Sequence, residues 1–171
     1  MAKLLVLALL GIQPMSGYDI KETLKSMDAE RWSGLLIGSI YNALNKLEKE
    51  GYIEVSHIEQ TGHRQKAIYA ITNRGKEYEK QLIKEALEKP LNPYPTQLYS
   101  GFSFMEKLDR DEALAALRKQ QKNLEEEHEI VSYGLKVKKE NLSSFALLVF
   151  EHMFETIKLQ QKYINKAIKL L

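Results

Sequence analysis

Four polar side chains, Ser39, Asn42, Asn45 and Lys46, punctuate the stretch GSIYNALNKLEKEGYIE (residues 38–54) and avoid an apolar series of Ile40, Ala43, Leu44 and Leu47. The apolar series has helical spacing, so it predicts a helix from about Ser39 to Glu50 with one face buried and the four polar groups pointing outward. Amides and hydroxyls at such positions suit base edges or phosphate oxygens, and lysine suits phosphate; a solvated helix face would have the same composition. A second cluster, His63, Arg64 and Lys66, flanks Gly62 in TGHRQK. If this is a turn, its tip would sit in or over a minor groove, or else face solvent. Between Arg31 and Lys76 there are seven Lys or Arg against four Glu, although the 171-residue chain has a formal net charge of only +2. Local clustering of this kind is what phosphate binding requires.

Other chemistry is poorly represented. The chain has no cysteine, which removes disulfides, zinc–thiolate sites and thiol nucleophiles, and fits a reducing cytoplasm. Its four histidines, at 57, 63, 128 and 152, form no helical i, i+4 pair, so no metal site is expected. No glycine-rich phosphate loop or nucleophile motif is present, so neither a cofactor nor catalysis is expected. The opening MAKLLVLALLGI is too short to span a bilayer and reads as a buried first helix ended by Pro14; no other run approaches the length of a membrane span.

The elements that would hold the polar helix follow in order. After residues 3–12, a second helix begins with Ser16 as N-cap and Asp19 in its first turn, and carries Tyr18, Ile20, Leu24 and Met27 at helical spacing. AERWSGLLIG, with two glycines, breaks the pattern; Trp32 within it is expected as a packed anchor between helices 2 and 3. Gly51 fits the position just past a helix end, where φ is positive. YIEVSHI then alternates at period two, TGHRQ supplies a turn, and AIYAI returns, predicting a β-hairpin. Thr72 caps a further helix that Pro90 ends. Three helices, a hairpin and a helix within ninety residues make a winged helix-turn-helix, in which one helix enters a major groove and the hairpin lies across neighbouring phosphates.

GIQPMSGYDIKETL, SIYNALNKLEKEGYIE and IYAITNRGKEYEKQL together resemble the PadR family of bacterial transcriptional regulators. Gly17 and Tyr18, then Ile40, Tyr41, Leu44, Leu47 and Gly51, then Tyr69, Thr72 and Gly75 fall on the family's pattern over about the first ninety residues. Asn42 stands where a proline is common, LIG replaces the usual serine-proline-glycine, and the wing turn is less basic than many. The resemblance implies that Tyr18 contacts a DNA phosphate and that the start of the third helix faces the groove. Tyr41, which the residues alone leave as either a phosphate donor or a core-edge side chain, it favours as a donor.

Beyond PLNPYPTQLYSGFSFM, two long helices are predicted. The first repeats Leu114, Leu117, Gln121, Leu124, His128, Val131 and Leu135 at alternating spacings of three and four. The second, capped by Ser143 or Ser144, is apolar on two faces: Phe145, Val149, Leu159 and Tyr163 on one, and Ala146, Phe150, Met153, Ile157, Ile164 and Ile168 on the other. A helix apolar on two sides must be covered twice, which a homodimer achieves economically. EALAALRKQQKNLEEE (residues 112–127) resembles the larger helical dimerisation domain of the same family.

The expected architecture is thus mainly α (α+β): a winged helix-turn-helix DNA-binding domain over residues 1–90, a linker or short packed segment over 91–106, and a helical dimerisation domain over 107–171. Leu114, Leu117, Leu124, Val131, Phe145, Val149, Phe150, Met153, Ile157, Leu159 and Tyr163 are its expected dimer interface. The expected function is a homodimeric repressor bound to a pseudo-palindromic double-stranded DNA operator and released by a small molecule or stress signal. A MarR-like regulator and a winged helix that binds protein are the rival readings.

Overall fold

The computed structural model describes residues 1–61, 64–90 and 95–171. It is mainly helical with one small antiparallel sheet, and it divides into two compact units, residues 1–92 and 93–171. The first unit is a winged helix. Helix α1 (Ala2–Ile12) buries Val6, Leu7, Leu9 and Leu10, as its near-uniform apolar sequence requires. Gln13, held extended ahead of Pro14, ends it. Ser16 caps α2 (Gly17–Ser26) in a capping box with Asp19.

The glycine-containing segment that follows holds a short helix, α3 (Ala29–Ser33), between Asp28 and Gly34, both with positive φ. One of the two glycines that break the pattern, Gly34, ends it. Trp32 is not a buried anchor: its ring is 40% exposed and its indole N–H donates to the Met27 carbonyl at the end of α2.

Helix α4 (Ile40–Lys49) buries Ile40, Ala43, Leu44 and Leu47 against α1 and α2. Each fully buried aliphatic side chain contributes about 1.5–3 kcal/mol. The helix stops in a Schellman arrangement: Gly51 has φ +74°, its N–H donates to the Glu48 carbonyl (2.9 Å), and that of Tyr52 donates to Leu47 (2.8 Å).

Strands β2 (Ile53–Thr61) and β3 (Arg64–Ile71) form the hairpin, with a bulge between Val55 and His57. A third strand, β1 (Met15–Ser16), pairs with β3 through Met15–Tyr69 and Ser16–Ile68, giving the order β1-β3-β2. Two residues are too few to show a period, which is why β1 is invisible in the sequence.

Helix α5 (Asn73–Glu88) starts where the hairpin closes. The Thr72 hydroxyl lies 3.0 and 3.1 Å from the carbonyl oxygens of Gly51 and Tyr52, and its oxygen accepts the Gly75 N–H. Gly75 is buried so closely that a Cβ there would stand 2.0 Å from the Tyr52 carbonyl oxygen. Tyr52 stacks on Tyr78 at 4.1 Å, and the Arg74 guanidinium lies over the Tyr52 ring.

The second unit contains α6 (Thr96–Ser103), α7 (Arg110–Lys138) and α8 (Ser144–Leu170). The segment expected as a linker or packed piece contributes Leu98, Phe102 and Met105 to the core formed by Leu117, Leu124, Ile164 and Ala167. Both polar interruptions of the α7 repeat are accommodated: Gln121 donates to the side-chain oxygen of Asn165, and His128 meets Phe154 edge-on at 5.3 Å. Ser143 caps α8 by accepting the Ala146 N–H.

Gly75→Ala places a methyl group against backbone that has no rotamer to yield. It is expected to destabilise the first unit by about 1–3 kcal/mol or more, the cost of overpacking. Urea unfolding that left the midpoint unchanged would contradict this close approach.

Candidate nucleic-acid interface

The buried stripe of α4 sets the rest of the helix outward. Tyr41, Asn42, Asn45 and Lys46 are all exposed, as is Lys49, which extends the Asn42–Asn45 series by four residues. Lys49 lay within reach of the same helical spacing but was not singled out from the sequence. Ser39 differs from the others. It is half-buried and its hydroxyl donates to the Leu36 carbonyl at 2.6 Å, so its proton is committed within the protein.

Tyr41 does not stand alone. A Cβ on Gly17 would approach a Tyr41 ring carbon and a Leu44 methyl at 3.0 Å, so the start of α2 runs hard against this side of α4. The next residue, Tyr18, is 61% exposed, and Tyr41 is 48% exposed. Two exposed phenol groups, 23 residues apart in the chain, thus come from the two helices that meet at Gly17. Ser39, Asn42 and Lys46 line an open groove with the first turn of α1 and the end of α5, including Leu82, Glu85 and Lys89.

In the hairpin, His63 lies outside the described residues, and Arg64 is placed by its backbone pairing with Thr61. Lys66 is described fully, and it is not a free cation. Its Nζ lies 2.9 Å from Asp19 Oδ2, the oxygen that also accepts the Ser16 hydroxyl proton at 2.7 Å. These bonds from Lys66 and then Ser16 hold the Asp19 carboxyl below its ordinary value, and the carboxylate raises Lys66 in turn. Tyr18 is within electrostatic reach of the same amine. The first turn of α2 therefore meets α4 beside Tyr41 and strand β3 through Lys66.

The expected dimer residues separate into two groups. Leu117, Leu124, Val131 and Ile157 are buried within the chain, in the second unit. A heptad repeat calls for a partner helix, and α8 of the same chain packs along α7. Leu114, Phe150 and Met153 are half-buried. Phe145, Val149, Leu159 and Tyr163 stay exposed, at 82%, 48%, 56% and 51%. Among the described residues no cluster of acidic or histidine side chains could hold a metal, and no helix is long and apolar enough to cross a membrane.

Residues 6–81, which contain all of these α2, α4 and hairpin side chains, match the transcriptional regulator PadR-like family. The first unit is a PadR-like domain. The whole chain also has the fold of solved members. Against Bacillus subtilis PadR in complex with operator DNA, the TM-score is 0.80 at 22% identity, covering 98% of this chain and 96% of that one. The PadR-like transcriptional regulator BC1756 from Bacillus cereus gives 0.76 at 19% identity, covering 99% and 96%. Bacillus subtilis PadR in complex with p-coumaric acid gives 0.75 at 20% identity, covering 98% and 93%. None of the curated proteins matches the chain. The PadR-like domain thus spans the polar side chains of α2, α4 and the hairpin, and the fold likeness extends through the second unit.

The Asp19–Lys66 pair has a defined pH dependence. Because the folded carboxyl titrates below the usual 3.8, its stabilisation is present above that value and is lost as pH falls through the lowered one. Lys66 is raised above 10.5, so its share is lost only as pH rises beyond that. Asp19→Asn should lower stability at neutral pH and cost progressively less at pH values beneath 3.8, as read by urea unfolding at several pH values.

Proposed function

We propose that this protein is a cytoplasmic, homodimeric DNA-binding regulator of transcription, acting as a repressor through binding and not through catalysis. The observation that carries this reading is the division of α4. Ile40, Ala43, Leu44 and Leu47 anchor one side completely, while Asn42, Asn45, Lys46 and Lys49 occupy the other without burial. A helix held this way presents amide donors and acceptors to base edges and amines to phosphates. Tyr18 and Tyr41 supply hydroxyl donors to the adjoining backbone, and the basic hairpin residues His63 and Arg64 extend the contact toward the minor groove. Ser39 serves this surface through its position at the start of α4.

Two copies would engage successive major grooves of a pseudo-palindromic operator. The exposed α8 stripe supports the pairing: Phe145 and Tyr163 are 18 residues apart, five full helical turns, so they lie on one line with Val149 and Leu159 to either side. Leu114, Phe150 and Met153 border this interface. A small-molecule signal would release the operator by binding preferentially to a dimer arrangement unable to span both half-sites. The Bacillus subtilis complexes with operator DNA and with p-coumaric acid support both parts of this reading.

The test is a gel-shift with the DNA immediately upstream of the protein's own gene at two salt concentrations, against unrelated competitor duplex. Competitor-resistant and salt-sensitive retention is expected; a winged helix that binds protein would show neither. Tyr41→Ala should weaken retention about tenfold, roughly the loss of one hydrogen bond to a charged group. Lys46→Ala should reduce the slope of log affinity against log salt by about 0.9, the value for one phosphate. Both variants should remain dimeric by analytical ultracentrifugation. Joint replacement of Phe145 and Val149 by glutamate should weaken self-association about tenfold or more, given the loss of two apolar anchors. Circular dichroism should remain unchanged, because both side chains are exposed in the single chain.

A further inference from the structure

Lys66 resembles a phosphate ligand in the sequence, yet its amine is directed onto a carboxylate of the same domain. Placing Asp19 on a surface meant for a polyanion is electrostatically unfavourable unless the carboxylate has a compensating role. The sheet shows what that role is. Strand β1 is attached to β3 through Ser16–Ile68, and α2 begins directly after it. Lys66 lies two residues beyond Ile68 toward the hairpin tip, so the Asp19–Lys66 pair carries the attachment of the hairpin past the end of the β1 pairing. The carboxylate is itself aimed: one oxygen receives both the Ser16 hydroxyl proton and the Lys66 amine, and Ser16 is buried and accepts the Asp19 N–H. Glu59 pairs with Lys66 across the hairpin and adds attraction on the same amine.

We propose that Asp19 is a positioning residue for DNA binding, latching the wing to the first turn of α2 through Lys66, so that Lys66 is a strut and not a phosphate contact. The latch also keeps one positive charge out of non-specific binding and so favours operator over other DNA. This inference rests on the DNA-binding reading.

Asp19→Asn, Lys66→Met and the double variant test it, using a duplex selected by the wild-type protein from a random library and an unrelated duplex. In Asp19→Asn the released amine gains access to phosphate. The salt slope is expected to steepen by about 0.9 on both duplexes, and the preference for the selected duplex to fall. A loss of stability alone would not steepen that slope. Lys66→Met and the double variant should keep the wild-type slope, with faster amide exchange in β2 and β3 in all three variants.

A Lys66→Met slope that flattens by about 0.9 while Asp19 is intact would overturn the proposal, because Lys66 would then itself be neutralising a phosphate. An Asp19→Asn protein with wild-type slope, preference and hairpin exchange would overturn it as well, leaving the DNA-binding reading intact. A wild-type protein without salt-dependent duplex affinity would overturn both together.

Discussion

The winged helix depends on one crossing of backbone. At the end of α4 the chain turns through Gly51 into β2, and at the end of β3 it turns through Thr72 into α5; the two turns touch where Gly75 meets the Tyr52 carbonyl. Because backbone meets backbone there, the crossing tolerates almost no displacement. The Thr72 hydroxyl joins both turns and the first turn of α5 with one side chain. The exit of α4, the base of the hairpin and the start of α5 are thereby set at one point, and the apolar core only has to fill the space this arrangement encloses.

Electrostatics acts at shorter range than the composition suggests. Acidic and basic residues nearly balance over the chain, and two amines of the first unit are engaged by carboxylates from distant elements. Lys3 pairs with Glu50 at 2.6 Å, tying α1 to the end of α4, and Lys66 pairs with Asp19. Both join elements far apart in sequence, so they locate secondary structure more than they add charge. Such partly exposed pairs are individually modest in energy, and their value here is geometric.

The second unit solves a different problem. Helix α8 carries apolar residues around more of its circumference than α7 and α6 occupy, leaving the Phe145–Tyr163 line open. The side facing α7 packs Ile164 and Ala167 against Leu117 and Leu124, and an exposed hydrogen bond between Gln121 and Asn165 joins the two helices beside them.

Much of this was legible before the structure, because it is local. The buried side of α4 follows from the spacing of Ile40, Leu44 and Leu47, the start of α2 from Ser16 and Asp19, and the positive φ of Gly51 from its place after the helix. Helix α3 and strand β1 were hidden because five and two residues are too few to carry a period. The exposed positions of Asn42, Asn45 and Lys46 were legible for the same reason as the stripe. The engagement of Lys66 by Asp19, the commitment of the Ser39 hydroxyl and the close approach of Gly17 to Tyr41 were not. By itself the sequence determined the identity of the elements and which face of each is apolar, since periodicity and capping are properties of neighbouring residues. Only the tertiary structure decided which charges are already paired and which leucines a second helix of the same chain has covered, because those contacts join residues that no local pattern relates.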